Sequence, residues 1–226
     1  LSYRINIMIQ VSNLDKAYGQ QVVFDKAGFM INPGERVGLI GRNGHGKTTL
    51  FRMILGQEHP DSGTIGIPNG YRTGHLSQHL RFTEDTVLKE ACLSLPSSEE
   101  GPDEKYKAET ILMGLGFSTD DFNISPMELS GGYQVRLNLA KVLVSKPDIL
   151  LLDEPTNYLD IVSLRWLVQF LRNWQKELII ITHDRSFLDS VTTHTMAIHR
   201  CKIRKVAGPT EKIYQQLLLE EEIHEK

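Results

Sequence analysis

The stretch "GRNGHGKT", residues 41–48, sets glycines, a lysine and a hydroxyl at the spacing G-x-x-x-x-G-K-[ST]. Its glycines, Gly41, Gly44 and Gly46, allow a turn tight enough for several N–H groups to converge on one anion. A helix beginning at Lys47 would add positive potential at the same place. Lys47 would bring a full charge to the β- and γ-phosphates of a nucleotide. The Thr48 hydroxyl could reach a Mg²⁺ ion, with Thr49 next in the run.

A second stretch, "LLDEPTNYLD" (residues 151–160), ends an apolar run on two adjacent acids. Asp153 and Glu154 should repel each other unless a cation offsets them. Beside a phosphate loop that cation is supplied by Mg²⁺ and by Lys47. Asp153 then reads as a metal ligand, and Glu154 as the group that orients or deprotonates an attacking water. Standing alone, the pair would be an ordinary surface feature. The third stretch, "LSGGYQ" (residues 129–134), puts Ser130, Gly131 and Gly132 at the start of a helical pattern. That is either an anion site or a simple Ser N-cap.

These groups need elements to hold them. Residues 5–11 alternate like a strand edge, residues 22–31 read as a second strand, and "NPGE" turns the chain. Residues 36–40 form a short apolar strand into the loop, and 47–55 a helix stopped by Gly56. Short strands follow at 64–67 and 71–76. Residues 84–125 carry helical periodicity only, which marks a small helical lobe. A helix over 131–145 precedes a buried strand at 148–152, a helix at 162–172 and another buried strand at 178–182. Continuous apolar strands separated by helices imply a parallel sheet covered on both faces. Residues 192–206 read as a closing strand pair, before a terminal helix carrying Ile213, Leu217 and Leu218. The expected architecture is α/β: a P-loop nucleoside-triphosphatase fold with a parallel core sheet flanked by helices, an antiparallel N-terminal β part and a small helical lobe. Its boundaries fall at 1–83 with 126–210 for the core, 84–125 for the lobe and 211–226 for a closing helix.

With 226 residues the chain suits one large domain. A net charge of −3 argues against a surface coated in basic residues for nucleic acid. Cys92 and Cys201 stand far apart, which points to reduced thiols and a cytoplasmic location. The apolar runs are far shorter than the ~20 residues that span a bilayer. The chain starts at Leu1 and stops in a charged run, so a longer parent is expected, with Met8 as a candidate native start.

The order of the motifs is more specific than any one of them. A phosphate loop, a Gln after a strand, "LSGG", "LLLDEP" and a His after a strand together resemble the ATP-binding cassette ATPases over nearly the whole chain. The resemblance implies ATP as the nucleotide and further roles. Tyr18 would stack on adenine. Gln78 would touch Mg²⁺ and the attacking water, and His183 the γ-phosphate. Asn43 and Gly44 would lie in the phosphate loop, and Asp160 in a loop crossing a dimer interface. Two cassettes would pack head to tail, so that Ser130, Gly131 and Gly132 of one complete the site of the other. "LDEPTNYLD", "THDRSFLD" and "GPTEKIYQQLL" resemble the ABC-F branch, whose members carry two cassettes in one chain, and many of which act on the ribosome. A transport ATPase is the alternative, and a DNA-repair cassette a weaker one. Tyr133 departs from the Gln usual in transport cassettes. The basic stretch 199–208 reads first as a solvated strand pair. Its alternative is contact with ribosomal RNA through Arg200, Lys202, Arg204 and Lys205.

Overall fold

Apolar residues recurring along 22–31 and the apolar runs that precede residues 41, 153 and 182 are buried in two kinds of sheet. The computed structural model describes residues 9–42, 44–76, 80–96 and 104–224. Its strands are β1 (Ile9–Tyr18), β2 (Gln21–Ile31), β3 (Arg36–Ile40), β4 (Ser62–Gly66), β5 (Thr73–His75), β6 (Ile149–Asp153), β7 (Glu177–Ile181), β8 (His194–His199) and β9 (Lys202–Ala207). Its helices are α1 (Lys47–Ile54), α2 (Val87–Cys92), α3 (Lys105–Gly114), α4 (Gly131–Val144), α5 (Ile161–Arg172), α6 (Arg185–Val191) and α7 (Thr210–His224). They form two compact units, residues 1–71 with 174–226, and residues 72–173.

In the first unit β1 pairs antiparallel with β2 and β4. The other sheet centres on β3, which runs parallel to β7 (Leu39 opposite Ile181) and to β8 (Ile40 opposite Ala197). β9 closes it antiparallel to β8, as the strand pair expected at 192–206. All five residues of β7 are buried. Parallel register matters for function here. Everything that leaves the C-terminal ends of β3, β7 and β8 emerges on one edge. That is the edge where α/β sheets bind ligands.

Two elements differ from the sequence reading. β1 runs on to Tyr18, well past the strand expected at 5–11, whose first residues lie outside the described ones. Its polar second half is held by a carboxylate rather than by apolar burial. Asp15 accepts from the Lys26 amide at 2.6 Å and the Ser62 hydroxyl at 2.5 Å, and Asn13 takes φ +50 where the register slips. α6 was not expected. Seven residues long, it starts because Asp184 caps the Phe187 amide at 2.9 Å, and it buries Phe187, Leu188 and Val191.

In the second unit β5 pairs parallel with β6, and α2 to α5 supply the helices. A buried carboxylate ties this unit together. Glu90 on α2 is 0% exposed, pairs with Lys141 on α4 and accepts from the amides of Thr83 and Glu84 at 2.7 and 2.8 Å. Burial pushes its carboxyl up, but Lys141 and the two amides outweigh that and leave it below the usual range. Its contribution to stability is therefore present above pH 4.5 and lost as pH falls through the lowered value. Glu90→Ala strands a half-buried ammonium and two amides. It should cost about 3 kcal/mol in denaturant unfolding at neutral pH, and the variant should lose stability less steeply than the parent below pH 4.5.

Candidate functional site

The phosphate-type loop leaves β3 at Gly41 and re-enters regular structure at Lys47. Gly44 and Gly46 sit at φ +78 and +99, a region open to glycine at little cost. Gly46 is the N-cap of α1 and offers no side-chain cap, and no acid stands in the first turn. The first amides of α1 are thus left to an external acceptor. Lys47 Nζ donates to the carbonyls of Gly41 at 2.7 Å and Arg42 at 3.1 Å, which ties the two ends of the loop. Thr48 is exposed and Thr49 half-buried at the helix start. Asn43 lies outside the described residues.

His183 follows β7 on the same edge. It is exposed, and it shares the wall of one cavity with Gly41, Arg42 and His45. The parallel pairing of β3 with β7 brings loop and histidine together, as the sequence order suggested. Tyr18 ends β1, 45% exposed. Its hydroxyl donates to Glu58, and Lys16 Nζ lies 5.2 Å from the ring centroid. Lys16 also pairs with Glu58 at 3.1 Å and Asp61 at 3.4 Å. The ring is therefore anchored at its rim with a cation near one face. Glu58 and Lys16 escape a sequence reading, because their partners lie some 40 residues away; the one local signal is Lys16 two residues before the aromatic.

The second unit holds the other groups. Asp153 ends β6, half-buried. Glu154 follows at φ +49, a backbone region costly for a residue with a Cβ and found at functional sites. Ser130 caps α4 through the Tyr133 amide, at a long 3.4 Å. Gly131 is exposed and a Cβ on it would meet nothing within 4 Å, while one on Gly132 would come within 3.5 Å of Tyr158. Gln78 lies outside the described residues.

Arg136 links these pieces and was not foreseen. Only 8% exposed, it donates to the Tyr158 carbonyl at 2.8 Å, the Leu115 carbonyl at 3.1 Å and the Asp160 carboxylate at 2.9 Å. Its guanidinium also lies 4.7 Å from the Tyr133 ring centroid. Asp160 in turn caps α5 through the amides of Val162 and Ser163, at 3.0 and 2.9 Å. The loop after the acidic pair is thus fastened to the helix that begins at Gly131. Tyr133 packs edge-on to Phe117 and donates to the Gly116 carbonyl, so its departure from Gln serves the lobe.

The basic stretch is largely neutralised. Lys202 pairs with Asp25 at 2.8 Å, Arg204 with Glu220 at 3.0 Å, and Lys205 with Glu35. Of the four residues considered for RNA contact, three hold acids of this chain, in line with the solvated strand pair. Among the described residues no group of three or more His, Cys, Asp or Glu is arranged to hold a metal. No helix among them is long and apolar enough to cross a membrane.

Comparison with known proteins is consistent with this geometry. Residues 24–157 match the family described as ABC transporter. The chain is 34% identical over 217 residues to the probable ATP-binding protein YheS of Escherichia coli K12, covering 94% of this chain and 33% of that protein. It is 41% identical over 191 residues to the energy-dependent translational throttle protein EttA of Escherichia coli O6:H1, covering 84% of this chain and 34% of that one. The chain thus spans about a third of the length of these relatives. Among solved structures, the post-hydrolysis dimer of the ATP-binding cassette MJ0796 with ADP and Pi aligns with a TM-score of 0.73 at 22% identity, covering 88% of this chain and 98% of that one. The ATP-binding subunit of an ABC transporter aligns with a TM-score of 0.75 at 22% identity, covering 94% of each.

The Arg136–Asp160 link has a pH signature. Hydrogen bonding from the Ser163 amide, together with Arg136, lowers the Asp160 carboxyl from 3.8 to about 2, against the smaller upward push of burial. A lowered carboxyl stabilises the fold above its unfolded value and ceases to do so as pH falls through the folded one. Between pH 4 and 2 the parent should lose stability more steeply than Asp160→Asn, as chemical denaturation at each pH will read.

Proposed function

The chain belongs to the ABC transporter family, and from that premise we propose that it is an ABC-F type cassette that binds and hydrolyses Mg²⁺-ATP with a second cassette and acts on the ribosome. The observation that carries the nucleotide reading is the loop from Gly41 to Thr49. It presents uncapped amides at the start of α1, with Lys47 folded across it. The Lys47 ammonium exchanges two carbonyl acceptors for β- and γ-phosphate oxygens. His183, on the same sheet edge, contacts the γ-phosphate. Tyr18, held by Glu58, stacks on the base.

The donor set suits Mg²⁺. Thr48 offers a hydroxyl and Asp153 a carboxylate, both hard oxygens, with Gln78 as a third candidate. A bound Mg²⁺ would neutralise charge developing on the phosphates. Glu154 then takes the proton of the attacking water, its carboxylate aimed by a left-handed backbone. Ser130, Gly131 and Gly132 serve the nucleotide of the partner cassette. Arg136 and Asp160 keep that helix start and the loop after Glu154 in one rigid piece. Loss of the γ-phosphate removes the bridge between cassettes and lets them part.

The ribosome reading is supported by the LDEPTNYLD and THDRSFLD segments and by the likeness to EttA, a translational throttle by name. It places the parent chain in the cytoplasm. A transport motor is the second reading. Leu93, Tyr106 and Met113 of the helical unit are 56%, 58% and 51% exposed and could face a membrane partner.

Lys47→Ala should abolish ATP binding in equilibrium titration, and unchanged affinity would remove the loop from the site. Glu154→Gln should bind ATP normally and lose turnover by about 10²-fold or more. Carried in the full-length parent with its counterpart in the second cassette, that change should make the protein pellet with ribosomes in ATP and not in ADP. Failure to pellet while ATP stays bound would favour the transport motor.

A further inference from the structure

Four basic side chains of the first unit are held by acids. Lys16, Lys202, Arg204 and Lys205 each pair with one or two carboxylates. Arg42, Arg185 and Arg200 differ. Among the described residues none of the three has an acidic partner, and all three line one cavity of about 550 Å³. His45, His183 and His199 line it too, and neither Asp nor Glu does.

Two of these guanidiniums are placed by the fold. Arg185 starts α6 and lies 4.5 Å from the Tyr214 ring centroid, which fixes its direction without neutralising its charge. Arg200 occupies the turn between β8 and β9 at φ +46, followed by Cys201 at φ +60. Such a turn favours Asn and Gly. Its shape is pinned by the Asp25 amide, which donates to the Cys201 carbonyl at 3.0 Å. A long cationic side chain thus stands where a small residue would cost less, beside two others of the same sign. Their mutual repulsion weakens the fold slightly unless an anion offsets it.

We propose that this cavity is a second phosphate-binding site, separate from the amides at the start of α1. Guanidinium forks match phosphate oxygens in pairs, and the exposed His45 ring can add an N–H donor. Ile198 and Leu217 supply an apolar wall that keeps part of the site dry. The phosphate group belongs to free inorganic phosphate or to the backbone of an RNA strand. The site adjoins the nucleotide site, since Gly41, Arg42, His45 and His183 line the same cavity, and what distinguishes it is Arg185 and Arg200, which lie outside the loop.

The test uses the chain in a Lys47→Ala background, so that binding at the loop does not mask the cavity. Equilibrium dialysis with labelled inorganic phosphate and anisotropy with a labelled 12-nucleotide RNA are run at one low, fixed salt concentration. The double change Arg185→Ala/Arg200→Ala should weaken at least one probe about tenfold, while Arg204→Ala, outside the cavity, should not. Loss of phosphate binding assigns the free anion, and loss confined to RNA assigns the backbone. Arg200→Ala alone guards against loosening of α7, since Arg200 makes no stack there, and should give part of the same loss. The proposal is overturned if the double variant binds both probes as the Lys47→Ala parent does, or if that parent binds neither in the millimolar range.

Discussion

Gly46 stands at φ +99, and a Cβ placed on it would lie 2.4 Å from Val23 Cγ1 and 2.9 Å from Phe24 Cζ. Both the dihedral and the space exclude any other residue unless the Val23 and Phe24 side chains of β2 move. This one approach is what lets the chain leave β3, turn within six residues and start α1 against the antiparallel sheet. If β2 shifted to admit a side chain, Phe24, 1% exposed, would leave the core with it. The convergence of amides on an anion is therefore set by packing behind the loop as much as by the loop itself. The Lys47 bonds to Gly41 and Arg42 tighten the same turn from the front.

The second unit solves a different problem. Glu154 and Tyr158, at φ +49 and +67, both sit in a costly backbone region, so the loop between them needs external support. Arg136 supplies it by holding the Tyr158 carbonyl and Asp160 at once. Gly116, at φ +91, leaves room for this, since a Cβ there would lie 2.6 Å from Arg136 Nη1. A guanidinium with this many partners is worth more as a bracket than as a charge pair. Replacing it by Lys would keep the charge and lose the fork.

Much of this was legible in the sequence, for physical reasons that also mark where legibility ends. Apolar runs that stop on Gly41, Asp153 or Thr182 announce buried strands and the residues at their ends, because burial writes itself into composition. Spacing within eight residues identifies the phosphate loop, because its glycines and Lys47 are neighbours in sequence, whereas the packing of Val23 and Phe24 behind it leaves no local mark. The second half of β1 is not legible because it is held by Asp15, whose partners Lys26 and Ser62 are distant in sequence. α6 is not legible because seven residues carry too little periodicity, and its start depends on a cap. Arg136 reads as one polar position in a helix, and nothing local reports its acceptors at 115, 158 and 160.

Charge shows the same limit most plainly. Residues 199–208 carry the densest run of positive charge in the chain, and in isolation that run suggests a polyanion. Folding pairs Lys202, Arg204 and Lys205 with Asp25, Glu220 and Glu35, between 16 and 177 residues away. What remains is Arg200, which lines one cavity with Arg42 and Arg185, three residues that the sequence scatters over 158 positions. Positive potential on this surface is thus relocated rather than removed. It passes from a strand pair, where composition puts it, to a cavity beside the phosphate loop, where register puts it. Ion pairs of this exposed kind contribute little to stability one by one. Their larger effect is to decide which cations stay available, and so where an anion meets uncompensated charge.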